Sequence, residues 1–182
     1  MGGAAVASVD GARALKLSGA GAYARVPSSA AFDFAANESF SIEARVKIDS
    51  APDPNFIPIV CRMATKQYCL FLRRGRARFY LSSPRGNVFA FVNGKTMVAD
   101  GQWHTIRAVR DAQDATLRIY IDGRLDGEAG DATAGDFASD APVGIGAYLY
   151  GERTKYARGL IDDVAIKSLG KMVEGPRPAK QP

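Results

Sequence analysis

Residues 100–125 decide the fold: Asp-Gly-Gln-Trp-His-Thr-Ile-Arg-Ala-Val-Arg (100–110), a short polar link, then Ala-Thr-Leu-Arg-Ile-Tyr-Ile-Asp-Gly-Arg-Leu (115–125). In the second run Leu117, Ile119 and Ile121 alternate with Thr116, Arg118 and Tyr120. That period of two belongs to a strand with one wet face. Asp122-Gly123 predicts a two-residue primed turn, whose central positions both need a positive φ. The same alternation is clearest at 39–48, where Phe40, Ile42, Ala44, Val46 and Ile48 fall on one face and Ser39, Ser41, Glu43, Arg45 and Lys47 on the other. Antiparallel sheets buried on one side produce this pattern. Further turns are predicted at Arg74-Gly75, Asn93-Gly94 and Asp100-Gly101, and no segment shows helical periodicity.

A Trp-His pair before one strand and an extended segment ending in Ile-Asp-Gly resemble the laminin G-like branch of the concanavalin A-like sandwiches. Three further stretches strengthen the resemblance, in that family's order: Ala-Leu-Lys-Leu-Ser-Gly-Ala-Gly-Ala-Tyr-Ala-Arg-Val-Pro (14–27), Glu-Ser-Phe-Ser-Ile-Glu-Ala-Arg-Val-Lys (38–47) and Gly-Leu-Ile-Asp-Asp-Val-Ala-Ile (159–166). The resemblance implies an all-β antiparallel jelly-roll sandwich, and the close spacing of turns agrees with it independently. A chain of 182 residues with 47% hydrophobic and 24% charged residues suits one domain with a sizeable core. We place that domain at residues 1–170 and a flexible, Pro- and Lys-containing tail at 171–182. Loops are expected at 49–58, with Pro52, Pro54 and Pro58, and at 126–142, rich in Asp, Gly and Ala.

No apolar run approaches the ~20 residues that span a bilayer. The start, Met1-Gly2-Gly3-Ala4-Ala5, reads neither as a signal peptide nor, with Val6, as a myristoylation site. The compartment is thus extracellular if the chain is trimmed from a secreted protein and intracellular if Met1 is the native start. Cys61 and Cys69 are read as free thiols, although a turn around Thr65 would set them opposite each other for a cross-strand bridge.

Charge is unevenly distributed. Between Pro54 and Ala99 there is no acid, against Arg62, Lys66, Arg73, Arg74, Arg76, Arg78, Arg85 and Lys95; residues 111–140 hold eight acids against Arg118 and Arg124. A positive and a negative region are expected. A turn at Arg74-Gly75 would pair Arg73 with Arg76, Leu72 with Ala77, Phe71 with Arg78 and Leu70 with Phe79. Phe71, Arg73, Arg76, Arg78 and Tyr80 then share the outer face. Like charges across a ladder repel, so this face either binds an anion, for which the guanidinium is well shaped, or is simply solvated. Arg interleaved with Phe and Tyr also suits single-stranded nucleic acid, but no nucleic-acid motif accompanies it. A second candidate is the loop 148–156, with Tyr148, Tyr150, Arg153 and Tyr156, as a sugar- or protein-recognition edge.

Catalysis is not expected. Glycoside hydrolases on this fold carry Glu-x-Asp-x-Glu or a close variant, since acid and nucleophile sit ~5.5 Å apart; the glutamates here, 38, 43, 128, 152 and 174, do not fit. Gln102-Trp103-His104 matches the lyases' Gln-x-His in letters only. His104 shares parity with Ile106 and Ala108 and reads as a satisfied structural imidazole, and Trp103 as structural. Asp162 shares parity with Val164 and Ile166, so it is expected to point inward. The resemblance implies that it ligates a structural Ca²⁺ with carbonyls of Gly19-Ala20-Gly21-Ala22; an arginine such as Arg25, or backbone donors, would serve it equally. The sequence thus reads as a non-catalytic module for a glycan, and its arginine face points to an anionic one. Its alternative is an assembly subunit docking an acidic protein surface within a larger complex.

Overall fold

A computed structural model describes residues 5–9, 12–49, 55–64, 67–83, 88–133, 135–151 and 154–171. Arg153, Thr65, Lys66, Arg85, residues 50–54 and 172–182 therefore lie outside the described residues.

The strands form two antiparallel sheets packed face to face. In order across the seven-stranded sheet lie β1 (Ala5–Val9), β2 (Ala12–Ser18), β15 (Arg158–Lys171), β4 (Glu38–Lys47), β9 (Trp103–Asp111), β10 (Thr116–Ile121) and β11 (Arg124–Gly130). The six-stranded sheet runs β3 (Ala24–Val26), β12 (Val143–Ile145), β5 (Ile57–Arg62), β6 (Gln67–Arg73), β7 (Arg76–Ser83) and β8 (Val88–Asn93). A small ribbon pairs β13 (Ala147–Tyr148) with β14 (Lys155–Tyr156), and the one helical turn among the described residues is a 3-10 turn, Ala30–Phe32.

The expected alternation is realised along β4. Phe40, Ile42, Ala44, Val46 and Ile48 are fully buried, while Glu43, Arg45 and Lys47 stay partly exposed. Opposite them, Leu70, Leu72, Ala77, Phe79 and Leu81 close the core from the second sheet. Phe40 sits at its centre, stacked on Phe34 at 4.1 Å and edge-on to Phe79 and Phe137. Each large apolar side chain removed from water contributes about 2 kcal/mol, so this interlayer holds the sheets together. The predicted primed turn at Asp122-Gly123 and the predicted two-residue turn at Arg74-Gly75 both form, with Arg74 and Gly75 at φ 51° and 76° and Asp122 and Gly123 at 51° and 79°.

Four expectations are corrected. Pro58 belongs to β5 rather than to a loop, and it sits at a register shift between Pro58 and Val60, where a residue without an N–H is tolerated. Residues 126–130 continue β11; Gly127 allows this, because a Cβ there would lie 2.2 Å from the Asn93 carbonyl oxygen. At the C-terminal end β15 runs to Lys171, one residue into the stretch assigned to the tail. Cys61 and Cys69 face each other in register and form a disulfide rather than two free thiols.

Arg62, counted above among the uncompensated cations, is buried at 1% exposure and ties loops to the core. It donates to Asp33 and the Phe32 carbonyl at 2.6 Å each, to Ala141 at 3.0 Å, to Ser28 Oγ at 3.2 Å, and to the Ser139 carbonyl. Arg110 does the same for Asp131 and for the carbonyls of Ala36 and Glu38. A buried cation is tolerated only when so fully satisfied. Arg62→Met should destabilise the fold by about 3 kcal/mol, since Asp33 and these carbonyls lose their donors. Urea denaturation measures this, and an unchanged midpoint would show that Arg62 is not a structural tie.

Candidate functional site

The register across β5 to β8 sets the outer face of the six-stranded sheet in rows. Arg73 pairs with Arg76; Pro58, Phe71, Arg78 and Asn93 form the next row; Cys61, Cys69, Tyr80 and Phe91 the next; and Gln67, Ser82 and Phe89 the last. The pairings expected from the Arg74-Gly75 turn are therefore those observed, and Phe71, Arg73, Arg76, Arg78 and Tyr80 share this face.

Arg73, Arg74, Arg76 and Arg78 line an open cleft of about 320 Å³ with Asn93 and Gly94. Arg76 donates to the Lys95 carbonyl at 2.9 Å and Arg78 to Asn93 Oδ1 at 2.6 Å. Arg78 also lies 4.4 Å above the Phe91 ring. Among the described residues no carboxylate comes within ion-pair distance of these four arginines. Burial, and then the charge of Arg73, push the Arg78 pKa below its ordinary value. The nearby Asp126 is occupied with the backbone N–H groups of Lys95 and Thr96.

The acidic region, by contrast, is largely neutralised within the fold. Arg118 pairs with Asp111, Asp114 and Glu128, Arg110 with Asp131, and His104 with Asp122. The expected negative surface is thereby reduced.

The other candidate residues separate. Phe71 is 6% exposed, covered by Phe56 at 4.2 Å, so its ring is used in packing beside the disulfide. Tyr148 stands edge-on to Phe56 at 5.1 Å and 6.3 Å from the exposed Tyr150, which borders the same face. Tyr156 instead packs against Tyr23 at 5.8 Å. Alternate residues of a strand point to opposite sides, and Tyr148 and Tyr156 occupy different rungs of the β13–β14 ribbon. Two exposed rings were not anticipated, Phe89 and Phe91. Ala90 and Val92 occupy the inner parity, so β8 is apolar on both faces and alternation alone does not say which side is wet.

Asp162 does not point inward. Asp163 adopts φ 47° in a bulge that shifts the register between Asp162 and Ala165. Asp162 is thus carried to the outer face of the seven-stranded sheet, opposite Arg45, while Ile161 takes the core. Its carboxylate lies 3.7 Å from Arg45, which stacks 4.3 Å over Trp103, and it accepts from the Asp163 N–H at 2.9 Å. The arginine partner is Arg45, not Arg25. The turn at 19–22 follows Ser18, which pairs with Arg158, so it lies four residues along the strand, about 13 Å away. No group of three His, Cys, Asp or Glu suited to a metal occurs among the described residues. This donor set does not fit Ca²⁺. EDTA should leave the wild-type melting temperature unchanged, and Asp162→Asn should lower it only slightly because the pair is partly exposed; a fall of several degrees with EDTA would reinstate the ion.

His104 keeps core parity, in register with Val46, but works as a clamp between turns. Its Nδ1 lies 2.8 Å from Asp122 and its Nε2 3.2 Å from Asp100, and Asp122 also accepts from the Thr105 N–H. Burial opposes the charged imidazole, but the two carboxylates together raise its pKa above the usual 6.5; the pKa values of Asp100 and Asp122 are lowered. The His104 contribution to stability is therefore complete below pH 6.5 and is lost as pH rises through the raised value. The carboxylates' share is present above their usual 3.8 and is lost as pH falls through their depressed values. With a single histidine in the chain, NMR should follow one imidazole titrating above 6.5. The stability gap between wild type and His104→Gln should narrow as pH rises above that midpoint. A midpoint at or below 6.5 would refute the clamp.

Solved structures share this architecture. The binding domain of Paraclostridial Mosquitocidal Protein 1 superposes with a TM-score of 0.68 at 12% identity, covering 87% of this chain. Domains LG4-5 of the mouse laminin alpha1 chain give 0.65 at 16% over 87%, and the Botulinum Neurotoxin serotype G binding domain 0.69 at 14% over 93%. This chain spans 42% of the length of each of the three. At these identities the likeness is one of fold. No curated protein sequence matches the chain significantly. The Laminin_G_3 model, described as the concanavalin A-like lectin/glucanases superfamily, matches residues 18–169, and the chain belongs to that family.

Proposed function

We propose that this domain is a non-catalytic binding module that recognises an anionic glycan or glycoconjugate through the outer face of its six-stranded sheet. One observation carries the reading: Arg73, Arg74, Arg76 and Arg78 share one open cleft without a carboxylate in reach among the described residues. A sulfate or carboxylate would relieve their mutual repulsion and accept bidentate hydrogen bonds from their guanidinium groups. Two of the structural neighbours are themselves binding domains, which supports a binding role. The described glutamates sit in separate settings: Glu38 accepts from the Ala35 N–H, Glu43 stands in register with Arg107, and Glu128 accepts from Arg118. They do not form the acid–nucleophile pair a glycosidase requires. Tyr148 and Tyr150 border the face, and Arg153 joins the proposal from outside the described residues. The Cys61–Cys69 bridge supports an oxidising compartment.

Chromatography on immobilised heparin at about physiological ionic strength tests this, since screening there leaves only a genuine cluster effective. Wild type should elute at higher salt than R73A/R76A/R78A, whereas R13A/K16A, altered on the other sheet, should elute with wild type. If the triple variant elutes with wild type, the anionic-glycan reading falls. A stable complex with an acidic protein, in place of heparin retention, would favour the assembly role instead.

A further inference from the structure

The arginine cleft accounts for one end of the outer face and leaves the other end unexplained. On β8, the edge strand of its sheet, Phe89 and Phe91 are 57% and 38% exposed. Their rings lie 6.3 Å apart and within 9° of parallel, and Tyr80 is 6.2 Å from Phe89. A scattered exposed apolar residue needs no explanation. A row of aromatic rings beside a cluster of unpaired cations marks a ligand surface.

The register gives this surface a direction. Successive rows, Arg73–Arg76, Arg78–Asn93, Tyr80–Phe91 and Ser82–Phe89, follow one another at about 6.7 Å along the strands. Arg78 joins the two halves, hydrogen-bonded to Asn93 and stacked on Phe91. Beyond it, no described residue in these rows is a cation. Among the described residues the face is charged at one end and aromatic, with hydroxyls, at the other.

We infer that the ligand is an oligosaccharide carrying its acidic group at one end. The sulfate or carboxylate meets Arg73, Arg76 and Arg78, and the neutral sugars that follow lay their apolar C–H faces on Phe91 and Phe89. This rests on the anionic-glycan reading and sharpens it. A polymer charged on every sugar would lay anions against the aromatic row, where no described cation meets them and desolvation is unfavourable. Single-stranded nucleic acid, with a phosphate on each nucleotide, meets the same obstacle, because its binding grooves track the backbone with positive charge.

The test is a glycan array that includes neutral, singly sulfated or uronate-capped, and uniformly sulfated probes, with oligo(dT) as a separate ligand. It is run on wild type, F89A/F91A and R73A/R76A/R78A. Both phenylalanines are exposed, so their removal should leave the melting temperature nearly unchanged. Wild type should bind acid-capped probes best. F89A/F91A should weaken that binding by about tenfold or more while heparin elution shifts at most slightly, through the lost stacking of Arg78 on Phe91, and the arginine variant should lose both. The inference is overturned if F89A/F91A binds these probes as wild type does. It is also overturned if uniformly sulfated chains bind best with no dependence on the rings, if oligo(dT) shows the ring dependence instead, or if no array probe binds. Heparin retention that still depends on the arginines would, in each of those cases, leave the anion site standing, whereas loss of that dependence removes both.

Discussion

Everything on this molecule's surface depends on one constraint, the burial of a single face of each sheet. Phe40, Ile42, Ala44 and Val46 on β4, with Ile48 just beyond its end, meet Leu70, Leu72, Phe79 and Leu81 on β6 and β7 with no exposure. A slip of one residue in either sheet would send these side chains to water and bring arginines into the core. The same parity that hides Leu72 and Ala77 therefore places Arg73, Arg76 and Arg78 together outside. The charged face is a geometric consequence of the core.

The molecule handles its cations in two opposite ways. Arg62 and Arg110 are buried and saturated by carbonyls and a carboxylate each, and so act as ties between loops and sheets. The arginines of the β6–β7 hairpin have no carboxylate within reach among the described residues, Arg76 holding one carbonyl and Arg78 one amide oxygen. Acids elsewhere are consumed internally: Asp122 by His104, Asp131 by Arg110, Asp126 by two backbone N–H groups. The outcome is a surface whose positive charge is concentrated where no carboxylate among the described residues supplies counter-charge. On the proposed reading, such a face holds its donors ready for an external anion and needs little rearrangement to bind one.

The disulfide and the aromatic cover belong to the same face. Cys61–Cys69 lies in the row of Tyr80 and Phe91, beneath Phe71, Phe56 and Tyr148. One part of the face is thus closed by packing, leaving the arginine cleft and the β8 rings open. What looks in the sequence like one long candidate surface is divided by the structure into a sealed part and an accessible part.

The sequence by itself determined the all-β character and the β6–β7 register, because alternation and two-residue turns are local properties written in consecutive residues, while the two-sheet sandwich was implied by the family resemblance. It also exposed the charge imbalance, which needs only counting. Tertiary structure decided what depends on residues distant in the chain: that Arg62 is a tie and not a surface cation, that the cysteines meet, that Tyr156 parts from Tyr148, and that Phe89 and Phe91 face water. Asp162 shows the reason most clearly. Parity predicts an inward carboxylate, but the bulge at Asp163 adds one residue and reverses the face. Whether a strand bulges depends on the pairing demanded by its neighbours β2 and β4, and that is a property of the assembled sheet rather than of the strand's own residues.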